Sequence, residues 1–176
     1  MASLEQICAR SACRMEVKSL RLQTPEGGTV VLMTERSPYA DGGRVSIFPG
    51  EAFSVEFADM RSVNQPRFGK LLDRLDETRG VTFAKPGENP ALSFQLRQDS
   101  DGPSMILTTK STLDAMVKYD ATMYVPSANG MREEHTSTCP VIAGGSALEM
   151  WPFPIRMVVL SNFRVIPKDA KNIACD

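Results

Sequence analysis

Apolar and polar positions alternate with a period of two in stretch after stretch of this chain. In EAFSVEF (51–57) the alternation puts Phe53, Val55 and Phe57 on one face and Ser54 and Glu56 on the other. In ALSFQLRQ (91–98), Leu92, Phe94 and Leu96 oppose Ser93, Gln95 and Arg97. VKYDATMYV (117–125) sets Val117, Tyr119, Ala121, Met123 and Val125 against Lys118, Asp120, Thr122 and Tyr124. IRMVVLSNFRV (155–165) places Ile155, Met157, Val159, Phe163 and Val165 in one phase. Successive side chains of a strand point to opposite faces, so each stretch reads as a strand with one face on a core and one in water. That is the pattern of an antiparallel sheet.

Shorter candidates fill the intervals: MEVKSLRLQ (15–23), whose phase shifts near Ser19 as a bulge would make it, TVVLMT (29–34), RVSIF (44–48), SMILTTK (104–110) and ALEMW (147–151). Between them stand the turn signals PEGG, PYADGG, KPGENP, DSDGP and PSANG. One segment departs from period two. In NQPRFGKLLDRLDETRG (64–80), Phe68, Leu71, Leu72 and Leu75 recur at helical spacing, with Pro66 at the start and Gly80 after Arg79. STLDAM (111–116) suggests one more helical turn. The expected fold is an all-β antiparallel β-sandwich of about eight strands, with one short amphipathic helix near residues 66–79 covering an end or edge. Residues 1–14 are expected to be an N-terminal segment looped by a disulfide, and 15–176 a single sandwich domain.

At 176 residues the chain is long enough to bury a real core. The 20 basic residues are balanced by 21 acidic ones and scattered, so there is no basic stripe to neutralise a phosphate backbone, and nucleic acid is not an expected partner. The densest apolar run, IRMVVL at 155–160, is far short of the roughly 18 residues of a membrane-spanning helix, so the chain is not expected to span a membrane. The first residues, MASLEQICARSAC, place Glu5, Gln6 and Arg10 where an export signal would be apolar. This leaves two readings: a cytosolic protein, or an exported one whose upstream signal has been replaced at Met-Ala-Ser.

Four cysteines favour the second. An even set, Cys8, Cys13, Cys139 and Cys175, favours disulfides and an oxidising compartment, and allows three connectivities. Cys8 with Cys13 would close a tight N-terminal loop. Cys139 with Cys175 would pin both the C-terminal residues and the connection from Val125 to Ala147, which at about twenty residues needs an anchor. The runner-up is metal: Cys8-x4-Cys13 with His135-x3-Cys139 offers three thiolates and an imidazole for a closed, structural zinc site.

Catalytic patterns are sparse. There is no GxGxxG or GxxxxGK[ST] cradle, no HExxH, no GxSxG elbow and no SxxK pair. His135 is the sole histidine; with Cys139 it could form a nucleophilic pair, although Pro140 follows the cysteine directly. Glu133 and Glu134 are neighbours that an extended backbone would point apart. In MWPFPIRM (150–157), Trp151 and Phe153 between prolines offer an interaction surface, or else cap the core at a crossover that proline holds extended. The expected function is a non-enzymatic, exported domain, periplasmic or secreted, that binds an unidentified protein or small molecule or serves a structural role, without a cofactor. Its rivals are a hydrolase using converging acids or Cys139 and His135, and a cytosolic protein with the Cys8, Cys13, His135, Cys139 zinc site.

Overall fold

The computed structural model describes residues 3–73, 75, 91–167, 169–170 and 174–175. Among the described residues one short α-helix, α1 (Leu4–Cys8), opens the chain, and fourteen strands follow: β1 (Cys13–Arg14), β2 (Ser19–Gln23), β3 (Thr29–Met33), β4 (Ser37–Pro38), β5 (Ala40–Asp41), β6 (Arg44–Ile47), β7 (Ala52–Glu56), β8 (Arg67–Leu71), β9 (Ala91–Gln98), β10 (Met105–Ser111), β11 (Val117–Ser127), β12 (Gly130–Thr136), β13 (Ser146–Trp151) and β14 (Met157–Val165), with a single 3-10 turn (Met60–Ser62) between β7 and β8. Every pairing is antiparallel. Sheet I runs β13-β10-β9-β7-β8 and sheet II runs β12-β11-β14-β6-β5.

The two sheets bury their alternating apolar faces against each other. Sheet I contributes Phe53, Val55, Leu92, Phe94, Leu96, Met105 and Leu107; sheet II contributes Val45, Ile47, Tyr119, Ala121, Met123, Val158, Leu160 and Phe163. Phe94 meets Tyr119 and Phe163 at centroid distances of 6.0 and 6.4 Å, inside the range where tilted and edge-on rings attract. The buried Tyr119 hydroxyl bonds to Thr109 Oγ1 at 2.7 Å, satisfying two polar groups that would each be costly unpaired. The fold is therefore the all-β sandwich that period-two alternation predicts. The hairpin β2–β3 closes one end: Leu22 and Leu32 join the core, Gln23 exchanges two bonds with the Gln98 side chain, and Arg156 Nε donates to Met33 O.

Several local expectations need correction. The helix placed at 66–79 is not formed over Arg67–Leu71, which is strand β8 on the edge of sheet I; Arg74 and residues 76–79 lie outside the described residues. Helical spacing of four apolar residues is a weak signal beside the ladder that β7 offers, where Gly69 lets the backbone approach Ser54 so closely that a Cβ would meet its Oγ at 2.7 Å. Residues 112–116 form no helical turn: Asp114 and Ala115 make a bend, and Ser111 Oγ accepts from the Leu113 amide. The segment after Val125 is a β-hairpin: β11 runs to Ser127 and pairs with β12.

In β14 the inward side chains are Val158, Leu160 and Phe163, not Met157 and Val159. The phase changes at a bulge, where two residues, Asn162 and Phe163, fill the interval that Tyr119 alone spans on β11. Asn162 has φ +52°, a region open to asparagine at little cost but not to a β-branched side chain. Its side-chain amide donates to Asp120 Oδ2 at 2.8 Å, and Arg164 donates to Asp120 Oδ1 at 2.9 Å. Asn162→Val should therefore lose about 1–2 kcal/mol while Asn162→Gly changes stability much less; equal losses in urea unfolding would show that the backbone conformation is not the cause.

Candidate functional site

Each open side of a sandwich exposes two sheet edges, and here each side carries one disulfide. On the first side β13 faces the β11–β12 hairpin, and Cys139 is bonded to Cys175. After Thr136 the chain continues along β11 to a bridge between Val141 and Val117, with Thr138 donating to Tyr119 O on the way. The Cys139 amide donates to Glu149 Oε1 of β13 at 2.6 Å, and Lys118 Nζ donates to Ala174 O at 3.0 Å. Burial pushes the Glu149 carboxyl above the usual glutamate range, and the Cys139 amide and Lys118 only partly offset it.

A raised folded-state pKa means that folding takes up a proton, so this contribution is intact below the ordinary glutamate range and is lost as pH rises through the raised value. Glu149→Gln keeps an acceptor for the Cys139 amide but removes the titration. Its urea midpoint should gain on wild type as pH rises from about 4 to about 7, whereas parallel curves would dismiss Glu149 as the source.

His135 lies on the outward face of edge strand β12, its side chain 77% exposed. Its Nδ1 meets Thr122 Oγ1 at 2.9 Å, and Nε2 lies 3.5 Å from Glu133 Oε1. The Cys139 sulfur is held by Cys175 rather than by an imidazole. Glu133 and Glu134 point to opposite faces, Glu134 pairing with Arg132. With His135 and Glu133 mostly exposed, this row lies in water rather than in a water-excluded setting, where electrostatic stabilisation is stronger.

The zinc alternative is not assembled. Cys8 is bonded to Cys13 beside β4 and β5, whereas His135 and Cys139 sit at the β12 margin. Four strand spacings of sheet II, about 19 Å, separate the two pairs. Among the described residues no three His, Cys, Asp or Glu side chains come together as a metal site. Trp151 is 7% exposed and packs in the core at the end of β13, with Phe153 half-buried against it. Trp151 therefore does not present the exposed interaction surface that was one of its two expectations; its ring follows the inward phase of β13 opposite Met105.

The second open side is different. Here, among the described residues, β8 pairs only with β7 and β5 only with β6, and the N-terminal segment lies beside β5, with Ala12 O accepting from the Tyr39 amide at 3.1 Å. Ser3 and Gln6 form a reciprocal capping box that starts α1, the Cys8–Cys13 bond loops the segment back, and β1 pairs with β4. Arg14 fastens this loop to the sandwich. Its guanidinium is almost fully buried, forks onto Glu51 at 2.5 and 2.6 Å, donates to Ser46 O at 2.6 Å and to Pro38 O at 3.1 Å, and stacks 4.0 Å over the Tyr39 ring. Glu51 also accepts from the Phe48 amide at 2.9 Å. Burial foremost, then the Glu51 charge, raises the Tyr39 phenol pKa against the opposing Arg14, so it stays protonated.

Between the looped segment and the sheet edges opens a cleft of about 810 Å³. One wall is Arg10, Ser11 and Ala12; the other is the loop into β8, with Asn64, Gln65 and Arg67; the β5–β6 turn closes between them. That turn is Gly42–Gly43 between the paired residues Asp41 and Arg44, with both glycines at positive φ, as a tight two-residue hairpin requires. Gly43 also comes so near Asn64 that a Cβ would lie 3.0 Å from its carbonyl oxygen. Arg10 is only loosely paired with Asp41, at 4.0 Å. Among the described residues, the side chains of Asn64, Gln65 and Arg67 have no hydrogen-bond or ion-pair partner. A second, smaller cleft of about 470 Å³ is built around Arg14 and Glu51, but those groups satisfy each other. The larger cleft thus has unused polar capacity, and the smaller has little.

No family model matches the chain, and no curated protein or solved structure is significantly similar to it. The cleft residues carry no motif that sequence alone reveals. The one available signal was PYADGG, a tight turn, but no pattern connects it with Arg10 or with Asn64–Arg67.

Proposed function

We propose that this chain is an exported, non-enzymatic β-sandwich domain that binds a ligand in the cleft between the Cys8–Cys13 loop, the β5–β6 turn and the start of β8. The observation that carries the reading is that a disulfide-closed loop, fixed by a buried arginine, forms a wall of the larger cleft, whose side chains have hydrogen-bonding capacity to spare. A wall that depends on a disulfide keeps its shape only where thiols stay oxidised, which supports a periplasmic or secreted setting. No helix among the described residues is long and apolar enough to cross a membrane.

The test has two parts. Alkylation of the protein trapped directly from cells should leave all four cysteines unmodified until reductant is added; four reactive thiols in native protein would overturn the export reading. Chemical-shift mapping against a mixed small-molecule and peptide library should place responses at Ser11, Gly43 and Asn64. Responses confined to the His135 face or to the smaller cleft would overturn the site.

A further inference from the structure

Resting on that reading, we infer that the cleft takes an extended peptide segment carrying acidic side chains, held by Arg10 and Arg67. The reasons lie in the edges and in the charges. Among the described residues β8 pairs only with β7, so at this side of the sandwich its other flank presents backbone N–H and C=O groups that no described strand satisfies. Such groups are an open template for an added strand, which gains affinity from main-chain hydrogen bonds and specificity from side chains beside it. β8 offers five residues, about 16 Å of extended chain, enough for a short peptide.

The side chains along this edge select the sign of the charge. Arg67 and Lys70 are the ionisable residues of β8, both exposed, and Arg10 faces the cleft from the opposite wall. Against them the cleft lining holds one acid, Asp41, already shared with Arg10. A guanidinium presents a planar fork of donors that fits a carboxylate, and a charge-assisted bond of that kind is about twice as strong as a neutral one. Asn64 and Gln65, whose carboxamides have no partner among the described residues, can bond a peptide backbone. Phe68, tilted against Tyr39 at 4.7 Å, supplies an apolar floor for the alternate side chains. The other long edges differ: β12 carries acids and bases together in Arg132, Glu133, Glu134 and His135, and β13 carries only Glu149, turned toward Cys139.

The experiment is a calorimetric titration of the full chain with three probes. These are a hexapeptide alternating glutamate and valine, the same peptide with lysine for glutamate, and inorganic phosphate. The glutamate peptide should bind, weaken as salt is raised, and lose about tenfold in affinity with either Arg10→Gln or Arg67→Gln. Cys8→Ser with Cys13→Ser, which releases the wall carrying Arg10, should weaken it similarly while the Cys139–Cys175 bond stays intact. Equal binding of the lysine peptide, phosphate binding as tight as the glutamate peptide, or indifference to both arginine substitutions overturns the acidic-peptide inference but leaves the cleft in place. Ser11→Trp, which fills the cleft from its wall, separates the two: if peptide binding survives it unchanged, or if no probe binds at all, the cleft reading itself falls.

Discussion

Arg14→Met is expected to cost about 3–5 kcal/mol, the largest loss from any single substitution considered, because it leaves Glu51 a carboxylate without its counter-charge in a mostly buried setting. Arg14 has a side-chain exposure of 5% and Glu51 of 21%, so little water is available to screen the orphaned charge. The guanidinium also bonds Pro38 and Ser46 and covers Tyr39, so its removal loosens β1, β4 and β6 together. For a chain of this size the melting temperature should fall by roughly 10 °C or more. The informative control is Arg14→Met with Glu51→Leu: removing both charges should recover a large part of the loss, since replacing a buried pair by apolar groups is often neutral or better. If the double variant is as unstable as the sum of the single ones, the energy lies in packing of the arginine stem rather than in the ion pair.

Cys139→Ser with Cys175→Ser is expected to destabilise by about 3–4 kcal/mol, against about 2 kcal/mol for Cys8→Ser with Cys13→Ser. The difference comes from loop length: the first bond spans 36 residues of sequence and the second 5, and a longer loop restricts the unfolded chain more. Denaturant unfolding under non-reducing conditions measures both, and the order is the point at issue. A larger effect at Cys8–Cys13 would mean that the N-terminal loop is coupled to the core through Arg14 more strongly than chain entropy predicts. The C-terminal bond has a local partner in the same sense, since Glu149 and Lys118 bond the segments on either side of it.

Strands with one wet and one dry face could be read from the chain directly. Leu92, Phe94 and Leu96 in β9, and Val117, Tyr119, Ala121, Met123 and Val125 in β11, are buried in the phase that alternation assigns them. β12 could not be read this way. As an edge strand with both faces largely in water it needs no apolar phase, and MREEHT therefore has the composition of a loop. β14 is apolar in both phases from Met157 to Leu160, so its facing was settled by the register against β11 and by the bulge at Asn162. Residues 67–71 show the same limit: their apolar spacing suited a helix, and pairing with β7 overrode it.

The candidate site divides along similar lines. Four cysteines, one histidine and the absence of familiar catalytic patterns are properties of composition and local spacing, visible in one dimension. They point to a disulfide-closed β-sandwich. That a cleft opens beside β5 and β8, and that Arg10, Gly43, Asn64 and Arg67 line it together, depends on sheet order. A cleft forms from residues that are distant along the chain, and only strand pairing brings two sheet edges, a glycine turn and a disulfide loop to one place. Local pattern therefore determined the elements and the core, whereas long-range pairing decided the cleft, because side-chain periodicity records which face of a strand is dry and says nothing about which strand lies beside it.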